Sequence, residues 1–500
     1  MPHEFLSDFV SRLQDAGELL RISAAVDTGL EVAAITDQVC QSPEGGPALL
    51  FEKPRGSSIP IVTNLLGSRR RLCLALDIES LDQLTGKLGR MLRPDAGGWL
   101  EAFKLIPATS GLTKFAPRVI KTAVCQQVVK LGRDVNLWDL PIPRNWPDEA
   151  NPVINNAQIV TLDPETGARS VERFPIQVIG QTQVVPHWNR YHAAFRNWQS
   201  SIRLQRQFPI GITLGGDPVQ MLMTAPSLVV PGDAILLGGL LRGAGLDLVK
   251  ARTVELDVPA AAEFVLEGYV DFAATPVEAP AIAGATGHYL PAENLPALHV
   301  TAITHRANPL LPVLVPGLPP SEETWIGLAA ERLRLAAVKA VVPEIADLHY
   351  PIAGAGRNLL FVSIRKEHPG QARQVLNGLW GSRLLGLSKL IVIVDADIDV
   401  RQESAVWFAA GSYVNPARDV ISMEGPTHMD DPAADVRGVG QKLGVDATRK
   451  FPEETGHGAS PRPLAMPSEL LTQLHDRWHE LGLPENLVRA HSSAGSLPTD

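Results

Sequence analysis

The stretch Val153-Ile154-Asn155-Asn156-Ala157-Gln158-Ile159-Val160-Thr161-Leu162, followed at once by Asp163-Pro164-Glu165-Thr166-Gly167, decides the fold. Its first part is rich in Val, Ile and Thr, and its second is made of turn formers, so the pattern predicts a strand that folds back as a hairpin. Runs of the same character recur through residues 115 to 310, at Ile176–Ile179, Gly211–Leu214, Leu246–Glu255 and His299–Thr304. Alternating with turn residues, they predict a mostly antiparallel β domain. Helices are expected to be inserted at Ile202–Phe208 and Asp233–Leu241.

The pattern changes near residue 320. Helical periodicity over Glu322–Val341 precedes strand-like runs at Asn358–Ile364 and Leu390–Asp395, with helices expected at Gly370–Leu379 and Gln402–Ala410. Strand, helix, strand with crossovers of that length predicts a parallel sheet. On the other flank, Phe5, Phe9 and Leu13 recur every four residues before Gly17, which predicts a helix and its stop. A second helix is expected over Leu30–Cys40 and strands over Ala48–Phe51 and Ile59–Leu66. A helical stretch broken by Pro94 and Gly97-Gly98 is expected over Leu81–Leu105, and a last amphipathic helix over Pro467–Leu481 in a Pro/Ser-rich end.

Composition bounds the function. The 500 residues are 45% hydrophobic and 20% charged, which excludes a disordered or fibrous chain, and at ~150 residues per domain they suggest three domains. A net charge of −9 argues against general affinity for nucleic acid. Cys40, Cys73 and Cys125 are too far apart for a disulfide framework or a CxxC site, which suits a reducing, cytoplasmic setting. Glu4, Asp8 and Arg12 interrupt the apolar start, so no signal peptide is expected, and no apolar run is long enough for a membrane span. No GxGxxG, GxxxxGK[ST], HExxH or GxSxG motif is present. Gly438-Val439-Gly440 is followed by Gly444, one residue too late for a dinucleotide fingerprint.

Several segments, in order, resemble the UbiD family of reversible decarboxylases. They are Val265-Leu266-Glu267-Gly268-Tyr269, His299-Val300-Thr301-Ala302-Ile303-Thr304-His305-Arg306, Pro343-Glu344-Ile345, Pro369-Gly370-Gln371-Ala372-Arg373, Val394-Asp395-Ala396-Asp397-Ile398-Asp399-Val400, Asn415-Pro416-Ala417-Arg418-Asp419 and Gly440-Gln441-Lys442-Leu443-Gly444-Val445-Asp446-Ala447-Thr448-Arg449-Lys450. The resemblance implies a mixed α/β fold in three parts. These would be an N-terminal α/β region over 1–115, a split β-barrel binding prenylated FMN over 116–318, and a C-terminal α/β oligomerisation domain over 319–460, before a helix and tail over 461–500. It implies that the modified flavin takes up an unsaturated or aromatic acid, CO₂ leaves, and a glutamate protonates the product. A flavin prenyltransferase would supply the cofactor, and a Mn-like divalent metal and potassium would tie its phosphate to the protein. The assembly implied is a homodimer or homohexamer, with a hetero-oligomer as the other option.

The resemblance also assigns residues. His187, before Trp188, matches a metal ligand, and Asp233 falls where the carboxylate ligand is counted forward from Pro226; counting back from Leu240-Leu241-Arg242-Gly243 gives Ala234, so both stay open. Ser170 stands at an asparagine ligand's position. Thr224 and Pro226 border the flavin phosphate, and Lys389 matches a lysine that contacts it. Of the family's arginine and two glutamates, the first glutamate is Glu278. Pro175 occupies the arginine's place, and Ala283 or Gly284 the second acid's. Arg173 is either a substitute arginine or a surface residue paired with Glu172 or Asp163. His288 is either a new acid or a packed loop histidine.

Two functions remain open on this reading. One is reversible non-oxidative decarboxylation of an aromatic or α,β-unsaturated acid, with small residues over 281–285 making room for a bulky substrate such as an aromatic acyl-CoA. The other is a non-catalytic or flavin-independent paralogue that serves as a subunit of a hetero-oligomeric carboxylase.

Overall fold

Val153–Ile154 and Gln158–Leu162 form two strands instead of one, and the break between them shapes the first part of the molecule. The structure is a computed structural model that describes residues 3–89, 113–225 and 234–482, except 457, 459, 462, 463 and 465. It divides into two units, Met1–Ala337 and Val338–Asp500. No helix among the described residues is long and apolar enough to cross a membrane.

The first unit is built on a nine-stranded sheet. Its order is Val153–Ile154, Ile176–Val178, Gln183–Pro186, Leu298–His305, Phe264–Val270, Phe208–Leu214, Gln158–Leu162, Arg169–Arg173, with Val128–Leu131 paired beside Leu298–His305. All of these pairs are antiparallel. The predicted hairpin is present: Asp163 N–H bonds Ala168 O at 2.9 Å and Gly167 N–H bonds Asp163 O at 2.8 Å.

Val153–Ile154 sits at one end of this order and Gln158–Leu162 near the other, yet only Asn155-Asn156-Ala157 join them. Phe174-Pro175 likewise connect Arg169–Arg173 at one end to Ile176–Val178 at the other. Links this short reach about 14 Å at most. They hold the two ends of the sheet against each other, so the sheet curls into a barrel with an unpaired seam. A proline at 175 costs no ladder hydrogen bond, because the seam has no ladder there.

A four-stranded sheet of Leu19–Val26, Ala48–Pro54, Ile61–Thr63 and Leu311–Val313 completes the N-terminal side with the helices Leu6–Asp15 and Glu31–Cys40. Leu6, Phe9, Val10 and Leu13 are buried, as their spacing predicts. The reading missed the helix Arg69–Leu76, whose start is capped by Ser68 Oγ accepting Arg71 N–H. Of the helical stretch expected over Leu81–Leu105, Asp82–Gly89 is helical, and residues from 90 on lie outside the described residues.

The helix expected at Ile202–Phe208 lies at Ala193–Arg203. Its buried face is Ala194, Asn197 and Ser201, whereas Ile202 and Leu204 are exposed. Gln205 has φ 53, which ends the helix, and Phe208 already begins the next strand. The second expected insertion is confirmed as Ala234–Arg242.

The helix Glu322–Val341 starts where Ser321 N–H bonds Thr324 Oγ1 at 3.3 Å. Its residues are buried on every side from Glu322 to Val338, a pattern that its mixed sequence does not advertise.

The second unit carries a five-stranded sheet ordered Ile345–His349, Leu359–Ile364, Leu390–Asp395, Val439–Asp446, Val420–Pro426. The expected parallel sheet is its centre. Both edges run antiparallel, so the sheet is mixed. Gln371–Gly381 and Glu403–Tyr413 are the expected helices, and Ser468–Asp476 is the last one.

Candidate functional site

The barrel seam concentrates buried polar atoms that lack partners. Asn155 Nδ2, Gln158 Oε1, Arg173 Nε and Gln177 Nε2 are all buried without a hydrogen bond, and all lie on the two seam links or within two residues of them. Gln158 and Arg173 are direct cross-strand neighbours. Gln158 Nε2 reaches Gly215 O at 3.3 Å. Beside it, Gly216 at φ +105 takes a backbone conformation that side-chain-bearing residues rarely adopt, and a Cβ there would push Gln220 Oε1, 2.4 Å away, aside. Gln220 Oε1 is likewise buried and unpartnered. Buried polar atoms are ordinarily satisfied by protein, water or a ligand, so a cluster of unsatisfied donors and acceptors is compatible with a ligand site. Leaving Arg173 aside, the set offers donors at Asn155 and Gln177 and acceptors at Gln158 and Gln220. That complements the acceptor–donor–acceptor edge of a flavin pyrimidine ring, so these residues fit a flavin.

His187 belongs to this neighbourhood. Its backbone N–H bonds Pro175 O at 2.9 Å, and its Nε2 lies 3.3 Å from Gln177 Oε1, with both side chains buried. Thr224 follows the helix Pro218–Met223 and is buried, but its hydroxyl donates back to Gln220 O and Met221 O at 3.2 and 3.3 Å.

Ser170 is turned away from Arg173. Side chains alternate along a strand, so residues three apart face opposite sides. The Ser170 hydroxyl is engaged with Thr161 Oγ1 at 2.7 Å, beneath Asn197 of the helix Ala193–Arg203. Ser170 and Arg173 are therefore not brought together.

Arg173 is not a surface residue, and it pairs with neither Glu172 nor Asp163. It is 5% exposed, and its Nη2 lies 2.9 and 2.6 Å from the two carboxylate oxygens of Glu323. Glu172 instead accepts the N–H groups of Ala193 and Ala194 at the start of their helix. Glu322, next to Glu323, accepts Leu66 N–H at 2.8 Å. Burial pushes its carboxyl up to about 7, against the pull of Arg71 and Arg173. Arg71 is fully buried and bonded to Gly46 O and, at 3.1 Å, to Glu18. Sequence reading missed this network. Two acids in the first turn of a helix read as a response to the helix dipole, and nothing local shows that they are buried.

The loop that carries the other predicted residues is held differently. Glu278 is exposed on the two-stranded ribbon formed by Val277–Ala279 and Glu293–Leu295. His288 is exposed, with Nδ1 3.0 Å from Thr286 O, so it is not packed into the loop. Ala283 donates its N–H to Glu149 Oε1 at 2.9 Å, and the other Glu149 oxygen accepts Asn145 and Trp146 N–H. Glu149 is fully buried, and burial raises its carboxyl above the usual range.

In the second unit, Lys389 precedes the strand Leu390–Asp395 as expected, and its Nζ bonds the buried Asp431 at 2.8 Å. Pro226 and Asp233 lie outside the described residues. Among the described residues, no group of three or more His, Cys, Asp or Glu side chains gathers to hold a metal.

Comparison with known proteins places this geometry. The model of the 3-octaprenyl-4-hydroxybenzoate carboxy-lyase N-terminal domain matches residues 10–89, its Rift-related domain matches 118–319, and its C-terminal domain matches 324–447. An uncharacterized protein of Aquifex aeolicus is 37% identical over 479 residues, covering 96% of this chain and 98% of that one. An evolved dimeric form of the UbiD-class enzyme HmfF from Pelotomaculum thermopropionicum, solved in complex with prFMN, superposes with TM-score 0.76 at 25% identity, covering 93% of this chain and 97% of that one. The vanillic acid decarboxylase of Sedimentibacter hydroxybenzoicus in closed form gives TM-score 0.84 at 25% identity, with 96% and 99% covered.

Proposed function

Since the chain belongs to the UbiD (3-octaprenyl-4-hydroxybenzoate carboxy-lyase) family, we propose that it catalyses the reversible, non-oxidative decarboxylation of an aromatic or α,β-unsaturated carboxylic acid with prenylated FMN. The observation that carries this reading is the barrel seam, where Arg173, Gln158, Gln177 and Gln220 present unpartnered buried atoms of both hydrogen-bonding kinds. When bound, the flavin supplies the electron sink for carbon–carbon bond cleavage. The protein's own part is to hold and to exclude. Gln158, Gln177 and Gln220 orient the ring edge, and His187 lies beside Gln177. Arg173, already fixed by Glu323 on one edge, offers its Nε to the substrate carboxylate. A flavin prenyltransferase is the source of the cofactor. Small residues over 281–285 leave room for a bulky acid.

The second reading is a flavin-independent subunit of a larger carboxylase. It draws on Ser170, whose hydroxyl is closed into a network with Thr161, and on the exposed Glu278. One experiment separates the two readings. The chain is co-produced with a flavin prenyltransferase, its visible absorption spectrum recorded, and CO₂ release measured with vanillate and other aromatic acids. A flavin band together with CO₂ release is expected. Colourless protein that releases no CO₂ would favour the second reading.

A further inference from the structure

Resting on the decarboxylase reading above, we propose that the acid missing from the 281–289 loop is replaced from the helix Glu322–Val341, where Glu323 fixes Arg173 and Glu322 delivers the proton. Arg173 binds the substrate carboxylate through its free edge. When the bond to that carboxylate breaks, its electron pair stays on the substrate carbon. The pair takes the proton from the Glu322 carboxyl, CO₂ departs, and the Glu322 carboxylate is reprotonated from solvent.

Three observations support this assignment. First, Arg173 is a buried cation with one nitrogen saturated by Glu323 and its Nε unpartnered. A guanidinium held on one edge and open on another is built to receive a second carboxylate. Second, Glu322 is adjacent in sequence, 2% exposed, and takes its one hydrogen bond among the described residues from Leu66 N–H. The charged and titratable groups around it are Arg71, with Glu18 behind, Cys40, Glu323 and Arg173. Burial outweighs both arginines, so its carboxyl titrates at about 7 and holds a proton near neutral pH. Third, the competing acids are committed elsewhere or exposed. Glu149 has both oxygens bound by the N–H groups of Asn145, Trp146 and Ala283. Glu267 is bound by the N–H groups of Arg252 and Thr253. Glu278 and His288 are exposed.

The test uses the full flavin-loaded chain and the variants Glu322→Gln, Glu323→Gln and Glu323→Asp. Glu322→Gln keeps the shape of a protonated glutamate, and its flavin band and melting curve report folding. With the aromatic acid that turns over best in a panel beginning with vanillate, Glu322→Gln is expected to lower kcat about 10²–10⁴-fold with KM within a few-fold. It should also abolish the loss of kcat above pH 7 expected of the parent. Glu323→Gln should raise KM, and Glu323→Asp should restore part of it. Infrared titration of the protein alone, which needs no substrate, should show the protonated carboxyls of Glu322 and Glu263 lost together near pH 7. Glu322→Gln should remove one component of that band and Glu263→Gln the other. A parent-like kcat and pH profile in Glu322→Gln, or an infrared band unchanged by that substitution, would overturn the inference alone. A parent chain that binds flavin and turns over none of the acids would overturn the functional reading, and this inference with it.

Discussion

Replacing Arg173 with Met tests the buried ion pair at the seam. Arg173 and Glu323 have side chains 4% and 7% exposed, 2.6 Å apart. Removing the cation takes the guanidinium away from a buried carboxylate, which costs about 3–5 kcal/mol. The first unit spans Met1–Ala337, and at about 2.1 cal/mol/K per residue its unfolding entropy is ~0.7 kcal/mol/K, so ~4 kcal/mol lowers its Tm by about 6 °C. The double variant Arg173→Met/Glu323→Leu fills the same space with apolar groups and should recover most of that loss. The assay is a thermal melt of both variants and the parent at pH 7.5, followed by circular dichroism. A single variant that melts within ~1 °C of the parent, or a double variant no more stable than the single, would refute the claim that Glu323 depends on Arg173.

Other outcomes follow from the same structure. Burial pushes the carboxyl of Glu263 up to about 7 from 4.5. The folded chain therefore holds a proton that the unfolded chain has lost, and stability falls as pH rises from about 4.5 to 7 and is flat above. Glu263→Gln should remove about 3 kcal/mol of that fall, read as the shift in urea midpoint between pH 5 and 7.5; an unchanged shift would count against it. The Cys40 and Cys125 thiols are buried and pushed up to about 12, whereas Cys73 is half-buried. Mass spectrometry after brief iodoacetamide treatment should find label on Cys73 alone. A Cβ at Gly268 would lie 2.1 Å from His299 O, where the strand pairing shifts register. Gly268→Ala should cost ~3 kcal/mol or more, and a parent-like melt would contradict this packing.

Much of the fold was legible because its signals are local. The hairpin turn at Asp163–Gly167, the helix from Glu322 and the strand at Leu390–Asp395 depend on residues within a few positions of one another. The seam is not local. Nothing within Val153–Leu162 says that its two halves lie at opposite ends of one sheet. That follows only from which strands pair with Leu298–His305, more than 130 residues away. The site divides on the same line. His187 could be singled out from its neighbour Trp188, but Glu322 and Glu323 look like ordinary helix-start acids until the arginines facing them are seen. Pro175 explains why the two facts go together. With proline on the link, no cation can stand there, and the nearest one is Arg173 at the end of the preceding strand. A buried guanidinium needs a counter-charge, and the helix start at Glu323 supplies it. The proline at 175, the arginine at 173 and the acid at 323 thus together set the charge around a single seam. Placing arginine at 175 while Arg173 remains would crowd two cations against one committed carboxylate, and it should destabilise the barrel unless Arg173 is removed as well.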